Sequence, residues 1–207
     1  MKAGAAKSEV QVTRGYGLLE KFLAGQRGRM ADSLIPARLR KGRILDIGCG
    51  AYPLFLYQTD FSEKYALDQM DLSGEAASES SSVRFVRHDF AGNRGLPFPD
   101  NHFNVVVMLA FIEHVEPSFL PAILSEALRI LKPGGNLIMT TPARWTDKLL
   151  RLLAFLRLVS PVEIAEHKMA YRHDTIIPIL QSAGFAREQI AAGYFELFMN
   201  LWVLAVK

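Results

Sequence analysis

Residues 44–56 read ILDIGCGAYPLFL: an apolar run breaks at an aspartate, turns through two glycines one residue apart, and resumes apolar. The pattern predicts a buried parallel strand at Ile44-Leu45, a tight turn, and a helix beginning at Leu54-Phe55-Leu56 that packs back onto the strand. Gly48 and Gly50 fall in that turn, where positive φ and the lack of a Cβ let the backbone come close to a bound molecule. A strand, glycine turn and helix of this kind opens an α/β sheet with a ligand beside its first turn.

The chain has 207 residues, half of them hydrophobic, enough for one α/β domain with a sizeable core and too few to expect two. A net charge of +3 with scattered lysines and arginines argues against a nucleic-acid partner. The single cysteine, Cys49, excludes an internal disulfide, and the sequence has no paired cysteines or clustered histidines for a structural zinc. The opening MKAGAAKSEVQVTRGYG lacks the apolar core of a secretory signal, and no eighteen apolar residues run uninterrupted. These features lead us to expect a cytoplasmic protein.

Helical spacing at Leu18, Leu19, Phe22 and Leu23, then at Met30, Leu34 and Ile35, predicts an N-terminal helical segment stopped by Pro36. KYALDQMDLS reads as a second strand ending in Asp68, and GEAASESSS as a small-polar linker. SVRFVRHDF reads as a third strand, with Val83, Phe85 and Arg87 on one face and Asp89 past its end. FNVVVMLAFIEHV is a buried fourth strand running into a turn, and FLPAILSEALRILKPGG a helix with a glycine stop. The closing EQIAAGYFELFMNLWVLAVK holds two apolar strands too close together for a helical crossover, so that pair is expected to be antiparallel.

In such a sheet the ligand lies outside the carboxyl ends of the strands, and the acids fall there in order: Asp46, Asp68, Asp89 and Glu113 beside His114. One such acid would ordinarily be a cap. Four in strand order point to a site, and an acid roughly twenty residues past the glycines is placed to accept ribose hydroxyls. A dinucleotide fingerprint fails, because Pro53 stands where G-x-G-x-x-G needs its third glycine. Asp46 would also repel a pyrophosphate. It would attract a cation, and the nucleoside carrying both an ammonium and a sulfonium is S-adenosylmethionine.

From Lys41 to Lys207 the sequence resembles the class I S-adenosylmethionine-dependent methyltransferases, through ILDIGCG, YALDQMD, VRFVRHDF leading into LPFPDNHFNVVV, and LRILKPGGNLIMTTP. The resemblance implies a Rossmann-like α/β fold: a seven-stranded, mostly parallel sheet with helices on both faces and a C-terminal antiparallel strand. It divides the chain into a helical segment, 1–40, and a methyltransferase domain, 41–207, with a substrate-side lid insertion at 143–175. It also implies a cofactor site. Asp46, Gly48, Cys49 and Gly50 would face the methionine end, Asp68 with Gln69 the ribose, Asp89 with Phe90 the adenine, and the Leu109 carbonyl the ammonium. Two positions depart from the family pattern: Tyr52 replaces a third glycine, and Asn104 stands where an aspartate is common. The tyrosine must point away or close over the ligand, and Asn104 is expected to be structural. Cys49 reads as a small filler whose thiol is kept protonated by Asp46.

Methyl transfer from a sulfonium needs in-line approach and exclusion of water more than acid-base machinery. An oxygen or nitrogen nucleophile still has a proton to lose, and His114, after the fourth strand, is the candidate base together with His167 in the segment EHKMAY. His88 and His102 read as structural. A subgroup resembling the quinone-pathway methyltransferases holds a metal through E-x-x-E-H; Ala110 replaces the first ligand here, so no metal is expected. In the helix expected at 148–159, Leu149, Leu152, Leu153, Leu156 and Val159 fill an arc of about 120° facing the domain. Leu150, Phe155 and Leu158 are left over among Lys148, Arg151 and Arg157, and they suggest a peripheral membrane or subunit contact. The expected activity is methyl transfer to oxygen or nitrogen of a small, amphiphilic acceptor, with a catalytically silent methyltransferase-like binding module as the alternative.

Overall fold

A computed structural model describes residues 20–70, 82–90, 95–146, 168–169 and 171–207. Leu18, Leu19, the helix expected at 148–159 and His167 lie outside the described residues. Seven strands form one sheet in the order β3-β2-β1-β4-β5-β7-β6. In chain order these are β1 (Arg43–Ile47), β2 (Glu63–Asp68), β3 (Val83–Arg87), β4 (Phe103–Leu109), β5 (Leu131–Pro142), β6 (Ile190–Phe195) and β7 (Asn200–Val206). Strand β7 pairs antiparallel with both β5 and β6, and every other pairing is parallel. The expected fold and terminal hairpin are therefore present.

Helices cover both faces, and β4 shows how its sequence serves them. Val105 and Val107 pack with Ala31 and Ile35 at the end of helix α1 (Glu20–Ser33) and with Phe55 and Leu56 of helix α2 (Leu54–Gln58). Val106 and Met108 point the other way, toward helix α3 (Leu120–Ile130) and helix α4 (His173–Ser182). A strand buried on both faces has no polar side, hence the unbroken VVVML. Helix α3 meets it with Leu120, Ile123, Leu124, Ala127 and Ile130, all buried. Full burial of each leucine or isoleucine contributes about 1.5–3 kcal/mol.

The segment LPFPDNHF is tied to α3 by one side chain. The Arg129 guanidinium donates to the Glu126 and Asp100 carboxylates and to the carbonyls of Leu96 and Phe98, while Glu126 accepts the Leu96 N–H. His102 joins Tyr65, Phe98 and Phe103 in an aromatic group at the start of β4, a packing role. Asn104 is structural as well: its Oδ1 accepts the Arg43 N–H at 3.1 Å and Lys132 Nζ at 3.3 Å. Arg87 shares the alternation of Val83 and Phe85 along β3; at the end of the strand it is exposed, and its Nε donates to the Gln69 carbonyl. A guanidinium at a sheet edge finds water and a carbonyl more readily than a core.

Candidate functional site

The turn after β1 has the backbone its glycines foretold: φ is +74° at Gly48 and +69° at Gly50. Gly48 is needed twice over, since a Cβ there would also drive into the Phe111 ring. Its N–H donates to the Leu67 carbonyl at 2.8 Å, locking the turn to β2. Asp68 closes the arrangement from the end of β2. Its two carboxylate oxygens accept the Gly50 and Met70 N–H groups, each at 3.0 Å.

Outside these strand ends lies a cavity of about 520 Å3. Asp46, Gly48, Cys49, Gly50, Asp68 and Gln69 form one part of its lining. Asp46 is only 4% exposed, and its Oδ1 meets no hydrogen-bond donor. Burial, with the neighbouring Asp68 charge adding to it, pushes the Asp46 carboxyl up to about 8. The same causes, burial first and then Asp46 and Asp68, hold the Cys49 thiol well above its ordinary range, so it is no thiolate nucleophile. An acid held neutral beside a cavity is poised to ionise when a cation arrives.

Much of the remaining lining is apolar. Leu109, Phe111, Val115, Phe119 and Ile123 belong to it, with His114 in the short turn Ile112–His114 that follows β4. Phe90 joins them, its ring 5.1 Å from those of both Phe111 and His88. The chain leaves β3 with His88 turned inward and buried, Asp89 outward and exposed, and Phe90 back toward the cavity. Of the four strand-end acids, Asp89, which is exposed, and Glu113, which is buried, do not line the cavity. Tyr52 borders the cavity with its ring 4.8 Å from Tyr57, and buried Pro53 fixes the bend that starts α2.

Several wall residues carried no motif. Ala24 and Arg27 reach the cavity from α1. Glu116 and Lys168 also line it and pair with each other at 2.8 Å, and the Lys168 backbone N–H donates to the Glu113 carbonyl at 2.8 Å. Phe111 could have been suspected from its place just after the fourth strand. No signal in α1 marks Arg27, because which helix face meets the cavity is decided by how α1 packs. Of the aromatic residues in the 143–175 segment, Tyr171 is fully buried core and Trp145 is exposed.

The methyltransferase domain family matches the chain over residues 20–190. A chicken (Gallus gallus) tRNA N(3)-cytidine methyltransferase, METTL2, is 29% identical over 59% of this chain and 36% of its own length. The ubiquinone/menaquinone biosynthesis C-methyltransferase UbiE of Pseudomonas savastanoi pv. phaseolicola is 39% identical over 34% of this chain and 26% of its own. The chain thus spans well under half of these two relatives. The fold is shared with a methyltransferase solved in complex with the Haloferax volcanii Trm112 methyltransferase activator, at a TM-score of 0.69, 17% identity, and coverage of 90% of this chain and 91% of that one. With a tRNA-modifying enzyme among the relatives, the expectation of no nucleic-acid partner has no support. Among the described residues no helix is long and apolar enough to cross a membrane. From its match over most of its length, the chain belongs to the methyltransferase domain family, the class I S-adenosylmethionine-dependent methyltransferases.

Proposed function

We propose that this domain transfers the methyl group of S-adenosylmethionine to an oxygen or nitrogen of a small amphiphilic acceptor. The observation that carries the reading is the make-up of one cavity, which two buried carboxyls, Asp46 and Asp68, and the aromatic Phe90, Phe111 and Phe119 line together. The unsatisfied Asp46 oxygen suits an ammonium, and the Asp68 carboxylate bordering the cavity suits ribose hydroxyls. The backbone from Gly48 through Cys49 to Gly50 would lie along the donor, with Gln69 beside Asp68 at the ribose, Phe90 toward the base and the Leu109 carbonyl toward the ammonium. When bound, the donor supplies a sulfonium-activated methyl group.

The chain's own part is to hold the two partners in line and dry. Phe111, Val115, Phe119 and Ile123 exclude water from the acceptor side, which favours an acceptor with an apolar body. His114 lines the same cavity and is the group within reach of a leaving proton. The Glu116–Lys168 pair ties the two stretches that frame that side.

Titration calorimetry with S-adenosylmethionine, followed by a screen of acceptors with the donor carrying a labelled methyl group, tests this reading. The expected result is donor binding and label in a small amphiphilic phenol, acid or amine. Donor binding with no transfer to any acceptor would favour the silent binding module. Transfer to tRNA alone, the acceptor class named for the chicken relative, would replace the small acceptor with a nucleotide.

A further inference from the structure

Six large hydrophobic side chains are exposed among the described residues, and they are not scattered. Phe22 lies on α1, the helix that contributes Ala24 and Arg27 to the cavity. The other five, Trp145, Met169, Tyr194, Leu197 and Phe198, sit on chain segments at the carboxyl edge of the sheet, the edge where the cavity lies. The register fixes this placement: Pro142, ending β5, pairs with Asn200, which begins β7 and also pairs with Phe195 at the end of β6. Trp145 follows β5, the tip Glu196 to Met199 joins β6 to β7, and Met169 adjoins Lys168 of the cavity wall.

The tip is held in an uncommon conformation. Glu196, Leu197 and Phe198 are consecutive non-glycine residues with φ of 51°, 54° and 66°. Left-handed backbone is disfavoured for side chains of this size, and three in succession persist only where the surroundings hold them. Trp145 supplies part of that hold, its indole N–H donating to the Phe198 carbonyl at 2.9 Å. Asn200 Nδ2 donates to the Glu196 carboxylate. The result is a braced loop that projects Leu197, 85% exposed, and Phe198, 67% exposed, into solvent.

The charges around it have one sign left over. Of the nearby acids, Glu116 is paired with Lys168, and Glu196 is drawn inward and faces Arg27 and Arg29 of α1. Arg29, near Glu196 of the tip, and Arg144, next to Trp145 in the chain, are both exposed. We infer that this rim docks on an anionic lipid surface, with Leu197, Phe198 and the Trp145 ring entering the headgroup boundary and Arg29 and Arg144 meeting lipid phosphates. Apolar side chains flanked by arginines, with Trp and Tyr rings at the border, are the chemistry of interfacial attachment. A phosphate backbone alone would use the arginines and leave Leu197 and Phe198 without a partner. The cavity would then open toward the bilayer, where an amphiphilic acceptor is concentrated.

The test needs no turnover, so it stands or falls apart from the proposed reaction. The full chain is sedimented with vesicles of equal parts phosphatidylglycerol and phosphatidylcholine, and with vesicles of phosphatidylcholine alone. Attachment is expected to be about tenfold stronger to the anionic vesicles, and to fall about tenfold in Leu197→Ser with Phe198→Ser and again in Arg144→Glu. Each variant is also checked for unchanged thermal unfolding. In a Trp202→Phe background, brominated lipid should quench Trp145 fluorescence. Equal attachment to both vesicle types, attachment intact in the double serine variant, or unquenched Trp145 would overturn the inference. So would a dimer of the parent chain that the double serine variant abolishes, since a second copy would then occupy the rim.

Discussion

One part of the cavity lining comes from two chain stretches, Asp46 to Gly50 and Asp68 to Gln69; the rest includes Ala24, Arg27, Phe111, Phe119, Ile123 and Lys168, from four parts of the chain. The first is held by backbone, through Gly48 N–H on Leu67, Gly50 and Met70 N–H on Asp68, and positive φ at two glycines. The second is held by packing: α1 and α3 lie on opposite faces of the sheet, and a short turn follows β4. A lining made of backbone geometry tolerates little change and suits a ligand that never varies. A lining made of side chains on packed elements can be re-cut residue by residue, which suits a partner that differs among relatives. METTL2 and UbiE, whose names give different acceptors, fit that division.

The comparison can be broken most sharply at Gly48. Gly48→Ala places a Cβ against the Phe111 ring at φ +74°, and it should weaken donor binding by about 100-fold or more while lowering stability by about 1–3 kcal/mol. Calorimetry and thermal unfolding read the two effects. Near-native donor affinity in this variant would mean that the turn does not touch the donor.

Asp46 gives the next largest effect and a definite sign with pH. Its carboxyl, raised by burial and then by Asp68 to about 8, holds a proton in the folded protein that the unfolded chain releases near pH 4. Stability of the ligand-free protein should therefore fall as pH rises from about 4 to about 8 and be level above that. An ammonium favours the ionised carboxylate, so donor affinity should climb by up to about tenfold per pH unit between about pH 6 and 7, with proton release visible as buffer-dependent binding enthalpy. Asp46→Asn should remove the slope and the released proton. A flat profile in the parent protein would assign the ammonium to another partner.

In the rest of the lining, Phe119→Ala should raise KM for an apolar acceptor by about fivefold to tenfold through lost contact area, with donor affinity unchanged. Equal losses for donor and acceptor would erase the distinction between the two parts. The smallest effect is expected at Tyr52, whose ring packs on Tyr57 at the cavity border. Tyr52→Gly should weaken the donor by less than about fivefold, the worth of one partly exposed ring contact. A large gain in affinity would show instead that the tyrosine obstructs the site.

How much could be read in advance follows the same division. Alternation and glycine placement marked β1, its turn, the acid after β2 and the terminal antiparallel pair, because each rests on residues within a few positions of one another. Asp89 was expected at the ligand beside Phe90; Phe90 lines the cavity, while Asp89 is exposed outside its lining, which strand pattern alone does not reveal. The exposed rim at Leu197 and Phe198 falls in the short stretch expected between the two closing strands; that it is a tip of left-handed residues braced by Trp145 from another strand end cannot be seen in the sequence.

By itself the sequence determined the strand order of acids, the positive-φ turn that lets a ligand approach, and membership of a fold built to hold S-adenosylmethionine. These are local consequences of side-chain size and backbone freedom. Only the tertiary structure decided that Asp46 is buried without a donor, that Phe111 needs Gly48 bare, and that α1 carries Arg27 to the cavity. Burial, close contact and electrostatic neighbourhood arise between segments dozens of residues apart, and sequence spacing alone does not measure them.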